Sequence, residues 1–139
     1  MRKISLDIAH AFKGGNKRSI SNTSTDGIDV YLHGNIIACW NIQGHLEVSL
    51  CNWPTQTTRE RINTLFYVLD MPFRVFQKDH NSYLKHDKGL EAHMISEIAS
   101  YEFKQKGDVW HVKDQRAGFE KSMAEQYKEG TNNEFIIRH

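Results

Sequence analysis

Eight histidines and two cysteines are the side chains of this 139-residue sequence with the widest choice of chemistry. Imidazoles and thiolates ligate zinc, and a histidine paired with a carboxylate or thiol runs acid–base or nucleophilic catalysis, but each use demands a characteristic spacing. His10, His33, His45, His80, His86, His93, His111 and His139 form no H-E-x-x-H pattern, and Cys39 and Cys51 form no C-x-x-C. His80-Asn81 with His86 matches fragments of a nuclease motif, without the glycine and carboxylate context that such a site needs. No G-x-S-x-G, Walker-type loop or dinucleotide fingerprint occurs. Gly14-Gly15-Asn16-Lys17 is glycine-rich and basic, yet it does not join a strand to a phosphate-facing helix. Cys51 lacks the helix-terminal or histidine-paired setting that activates a thiolate. The expectation is a protein that is not an enzyme, with no catalytic residue, metal or cofactor.

Binding residues are easier to nominate. Tyr31, His33 and Trp40 fall on one face of the expected sheet, where aromatic rings could stack bases. Against that, only His33 and His45 on the same strands can carry positive charge. Arg59 and Arg61 lie in the first turns of an expected helix, a poor place for cations against its dipole. They read as solvated arginines or as an anion contact beside the helix N-terminus. Lys13, Lys17 and Arg18 make a small basic loop patch.

The elements that must carry these residues are concentrated in 28–69. Gly34-Asn35 and Gln43-Gly44 each separate runs rich in β-branched and aromatic residues, the two-residue hairpin signal. Pairing through them sets Val30 opposite Cys39, Leu32 opposite Ile37, Cys39 opposite Val48 and Ile37 opposite Leu50. One face then holds Ile28, Val30, Leu32, Ile37, Cys39, Leu46, Val48 and Leu50. The other holds Asp29, Tyr31, His33, Ile36, Ala38, Trp40, Ile42, His45, Glu47, Ser49 and Cys51, and is either covered by the C-terminal segments or free. The cysteines thus point to opposite faces, which argues against a disulfide and fits a reducing cytoplasm. A helix follows, with Thr57 as N-cap and Glu60 closing a capping box. Ile62, Leu65, Phe66 and Leu69 form its apolar stripe, and Met71-Pro72 ends it. Burying that stripe on the sheet is worth roughly 6–12 kcal/mol before entropy.

Outside this core, residues 1–12 fit a helix better than a strand, and Ser19–Thr25 fits a short edge strand. Phe73–Lys78 and Ser82–His86 read as a hairpin that extends the meander to five strands. Leu90, Met94, Ile95, Ile98 and Phe103 suggest a helix over 90–104. Asp114 caps a final helix carrying Phe119, Met123 and Tyr127 and stopped by Gly130. The predicted fold is α+β: an antiparallel β-meander of three to five strands packed on an amphipathic helix, with a helical C-terminal region. One domain spans 1–139, with a core over 1–88 and a mainly helical 89–139. Hydrophobic residues at 39%, charged residues at 25% and a formal charge of +1 describe an ordinary globular chain without a strong general attraction to nucleic acid. No apolar run is long enough to span a membrane. Phe135-Ile136-Ile137 near the C-terminus suits docking on this chain or self-association into a homo-oligomer.

Three segments resemble a pattern in small bacteriophage and prophage proteins. They are Asn22-Thr23, then Leu32-His33-Gly34-Asn35-Ile36-Ile37-Ala38, then Trp53-Pro54-Thr55-Gln56-Thr57-Thr58-Arg59-Glu60-Arg61-Ile62-Asn63. The family pattern runs N-T, L-H-G-N-x-I-A, then G-W-x-T-x-T-T-x-x-R-L-N; here Asn52 precedes the tryptophan, Pro54 follows it and Ile62 replaces leucine. The resemblance covers about residues 20–78. It implies a viral accessory protein in a bacterial host's cytoplasm and carries no activity. Three functions are then in play. The first is a non-catalytic accessory protein that binds and inhibits a host protein, such as an anti-CRISPR or similar anti-defence inhibitor. The second is a single-stranded nucleic-acid or nucleotide binder. The third is a small histidine-dependent nuclease.

Overall fold

The computed structural model describes residues 1–115 and 134–138. In chain order the elements are α1 (Lys3–Lys13), β1 (Arg18–Ile20), β2 (Thr23–Thr25), β3 (Asp29–Leu32), β4 (Asn35–Trp40), β5 (Leu46–Ser49), α2 (Gln56–Val68), β6 (Phe73–Lys78), β7 (Asn81–His86), β8 (Ala92–Met94), β9 (Ser100–Lys106), β10 (Val109–Asp114) and β11 (Glu134–Arg138). They form an eight-stranded antiparallel sheet, ordered β1-β2-β3-β4-β5-β9-β10-β11, and a three-stranded sheet β6-β7-β8.

This overturns the predicted α+β class. The described chain is mostly antiparallel β with two helices, and the expected helix over 90–104 is β8 and β9. That spacing misled because Leu90 and Ile98 are exposed, so no helical stripe exists. The operative period is two: Tyr101 and Phe103 on β9 face the core, as do Trp110 and Val112 on β10. Gly107-Asp108 joins these strands, with Lys106 opposite Val109 and Gly107 at φ 60°. The predicted helix with Phe119, Met123 and Tyr127 lies outside the described residues. The C-terminal strands do not layer over the meander; β9 pairs with β5 and continues its sheet. That sheet therefore carries strands from both sides of residue 88. The hairpin β6–β7 forms as read, but it belongs to the separate sheet. Ile137 on β11 is buried in its own chain, whereas its neighbour Ile136 is 46% exposed.

The meander register also differs by small, compensating steps. The first turn is His33-Gly34, both at positive φ, with Leu32 opposite Asn35. The second is a three-residue loop, closed where the Asn41 N–H donates to the His45 carbonyl at 2.9 Å, with Gly44 at φ 81°. A bulge on β4 absorbs the difference: Tyr31 pairs with Ile36 and Val30 with Ala38, so Ile37 is the extra residue. Ile37 and Ala38 are consequently both buried, Cys39 turns outward opposite Glu47, and Trp40 turns inward opposite Leu46. Val30, Ile37 and Val48 still share one core.

Both helices feed that core. In α1 Ile8, Ala9 and Phe12 are buried; in α2 Ile62, Leu65 and Phe66 are, with Leu69 packed at the margin. The α2 cap is Thr55 rather than Thr57: its Oγ1 accepts the Thr58 N–H at 3.2 Å. Glu60 is therefore free of a capping role and turns to Ser5, Arg61 and Thr64. Among the described residues no helix is long and apolar enough to cross a membrane.

Candidate functional site

A cleft with an apolar floor and a polar rim lies at the end of the meander, where the β3–β4 turn faces the β5–α2 connection. Two local conformations build it. His33-Gly34 supplies the positive φ pair that a tight hairpin needs, and the His33 N–H donates to the Asn22 carbonyl at 2.9 Å. On the facing side Cys51 and Asn52 both adopt positive φ, 54° and 56°, and the Trp53 N–H closes the turn onto the Leu50 carbonyl at 2.8 Å. The Asn52 N–H donates to the Glu97 carbonyl at 2.7 Å, which ties this turn to the β8–β9 connection. Thr55 and Thr58 then start α2, and Arg59 Nη1 donates to the Pro54 carbonyl at 2.6 Å.

The resulting cleft encloses about 310 Å³, at the low end for small-molecule sites. Leu32, Ile37, Leu50 and Thr58 form its buried floor, and His33, Asn35, Cys51 and Trp53 its rim. Trp53 is 60% exposed, and the neighbouring Ile36 is 45% exposed. Cys51 Sγ donates to the Ile36 carbonyl at 2.8 Å, and burial pushes its thiol pKa up despite the Ser49 hydrogen bond. At neutral pH it is a protonated donor, not a nucleophile. The cleft can therefore take an apolar group on its floor and satisfy a polar group at His33, Asn35 or Thr58.

Of the residues nominated from the sequence, His33 alone lines this cleft. Trp40 lies on the core side, stacked on Phe12 with centroids 5.1 Å apart and planes 4° from parallel. Tyr31 lies on the opposite face, its hydroxyl 3.3 Å from Asp29 Oδ2, and burial and that carboxylate push its phenol upward. The structure thus separates the two rings of the expected aromatic platform. Lys13 ends α1 and is exposed, as is Lys17; Arg18 starts β1 with Nη2 3.7 Å from Asp7 Oδ2. Arg59 is spent on the Pro54 carbonyl. Arg61, read as a solvated arginine, is buried: Nε donates to Thr23 Oγ1 at 3.0 Å, and Nη1 to Ser5 Oγ at 2.8 Å and Glu60 Oε1 at 2.5 Å. It clamps α2 to α1 and β2. Sequence reasoning passed over Trp53, although a lone tryptophan between Asn52 and Pro54, just before a helix cap, has no core stripe to join. Among the described residues no group of three or more His, Cys, Asp or Glu side chains could hold a metal ion.

The model of the Kyanoviridae Gp96 protein family matches residues 1–131. No curated protein and no solved structure matches the chain.

Proposed function

The chain belongs to the Kyanoviridae Gp96 protein family, a phage family, and from that premise we propose that it is an accessory protein that binds and inhibits a host protein in the host cytoplasm. The contact is non-catalytic, and a defence factor is the class of target a phage gains most from blocking. The observation that carries this reading is Trp53, 60% exposed at the rim of an apolar-floored cleft. A large exposed aromatic beside a pocket is the usual anchor of a protein–protein hot spot. Ile36 extends the apolar rim, and His33 and Asn35 offer the polar contacts that fix a partner's register.

The test uses the full chain as bait in host lysate, with Trp53→Ala as the matched bait and quantitative mass spectrometry as readout. The expected result is one host protein held by the wild type and depleted at least about 30-fold by the variant, the equivalent of a 2 kcal/mol hot spot. The purified partner should then lose activity at a stoichiometric ratio. Equal recovery by both baits, or no recovered partner, overturns the reading.

A further inference from the structure

A second concave region lies on the outer face of the large sheet, away from the cleft. It encloses about 450 Å³ and is lined by Gln43, Glu102, Lys104, Lys106, His111 and Lys113. The register explains the grouping. On β9, residues 102, 104 and 106 share the face opposite the core, and β10 sets Lys113 beside Glu102, His111 beside Lys104 and Val109 beside Lys106. Lys113, Lys104 and Lys106 therefore stand at three successive same-face levels, about 7 Å apart along the strands. We propose that this row of three lysines binds the phosphates of single-stranded nucleic acid.

Four observations carry it. First, none of the three ammonium groups forms an ion pair among the described residues. Second, the carboxylate in the lining is held chiefly by groups outside the row, with Lys104 the weakest of the charges that act on it. Glu102 Oε2 accepts from Asn41 Nδ2 at 2.5 Å and lies 3.1 Å from His45 Nδ1, and Oε1 accepts from Gln115 Nε2 at 2.9 Å. Third, lysines often guard the edge of a sheet against aggregation, but β9 and β10 are interior strands, flanked by β5 and β11. Fourth, the lining sets three lysines against the single carboxylate of Glu102, which leaves the hollow net positive. A row of cations stepped from β10 onto β9 suits a flexible strand, which can lay successive phosphates along it. No Phe, Tyr or Trp is in the lining, so the contact is chiefly to backbone phosphates and indifferent to sequence.

The test is fluorescence anisotropy of the full chain with a labelled oligo-dT of about a dozen nucleotides, between about 50 and 200 mM salt. Three phosphate contacts predict a log–log slope near −2, an affinity loss of about 20-fold across that range. Each single Lys→Gln change at 104, 106 or 113 should lower the slope by about 0.7. The triple Lys→Gln variant should lose binding, and the triple Lys→Arg variant should restore it. These side chains are solvent-facing, so thermal melting should be unchanged in every variant. Changing Lys13, Lys17 and Arg18 to Gln should leave affinity within about twofold. No binding at the lowest salt overturns the proposal, and so does wild-type affinity in the triple Gln variant. Equal competition by poly-glutamate, or preference for the duplex of the same length, also overturns it. None of these results depends on the Trp53 cleft, so the two readings fail separately.

Discussion

Arg61 offers the sharpest test of how the helices are held to the sheet. Its side chain is 3% exposed and its guanidinium links Thr23, Ser5 and Glu60. Arg61→Met keeps the volume and removes the charge, which leaves the Glu60 carboxylate without its counter-ion and the Thr23 and Ser5 hydroxyls short of a partner. Breaking one side of a buried ion pair costs about 3–5 kcal/mol. The Glu60 side chain is 23% exposed, so water relieves part of that cost, and the lower end, about 3 kcal/mol, is expected. At about 4 °C per kcal/mol for a chain of this size, the melting temperature should fall by about 12 °C. Urea unfolding followed by circular dichroism measures the loss directly. Adding Glu60→Gln to Arg61→Met removes the stranded charge and should recover at least about 1 kcal/mol. The pH dependence has a definite sign. Burial pushes the Glu60 pKa up, but hydrogen bonds from Ser5, Thr64 and Arg61 outweigh it and hold the carboxyl below its usual 4.5. Its contribution is thus present above pH 4.5 and lost as pH falls through the lower folded value, so the Arg61→Met deficit should shrink in acid. A deficit under about 1 kcal/mol, or no recovery in the double variant, would refute the clamp.

Three further outcomes follow from the geometry. Gly34→Ala, at φ 80° with open space around its Cβ, should cost about 1 kcal/mol of conformational strain. Gly27→Ala should cost clearly more in the same urea assay, because its Cβ would meet the Gly15 backbone at 2.6 Å as well as φ 91°. For Glu102, burial pushes the pKa up, but His45 and Asn41 outweigh it and hold the carboxyl below 4.5; its stabilisation is lost as pH falls below that value, and Glu102→Gln should flatten the acid limb of stability against pH. Cys39, pushed up to about 11 by burial and by Glu47 and Asp29, should react with a disulfide reagent far more slowly at pH 7 than a free thiol does, and speed up only in strong alkali.

The parts legible in the sequence were those governed by local signals. The amphipathic stripe of Ile62, Leu65 and Phe66 forms as read, and so does the hairpin over 73–86. Register was less legible, because it depended on one-residue choices. Each hairpin loop is one residue away from its simplest reading, and the bulge at Ile37 has no glycine to mark it. That slip put Trp40 on the wrong face and Cys39 in the core. The helical reading of 90–104 failed because apolar spacing over a short window fits two periods, and the decisive pairing of β9 with β5 is distant in sequence. The cleft was hidden for the same reason: His33 and Trp53 meet only through two positive-φ turns, one of them on the non-glycine pair Cys51-Asn52.

The joint between β5 and β9 has a kinetic consequence. Ser49 pairs with Ser100, and the intervening chain holds α2 and the whole β6–β8 sheet. Neighbouring strands elsewhere in β1–β5 and β9–β10 are joined by tight connections that can close quickly, whereas this joint must close a long loop. Until it zips, the facing margins of β5 and β9 are raw backbone edges, the moment at which a nascent chain is most open to pairing with a neighbour instead of itself.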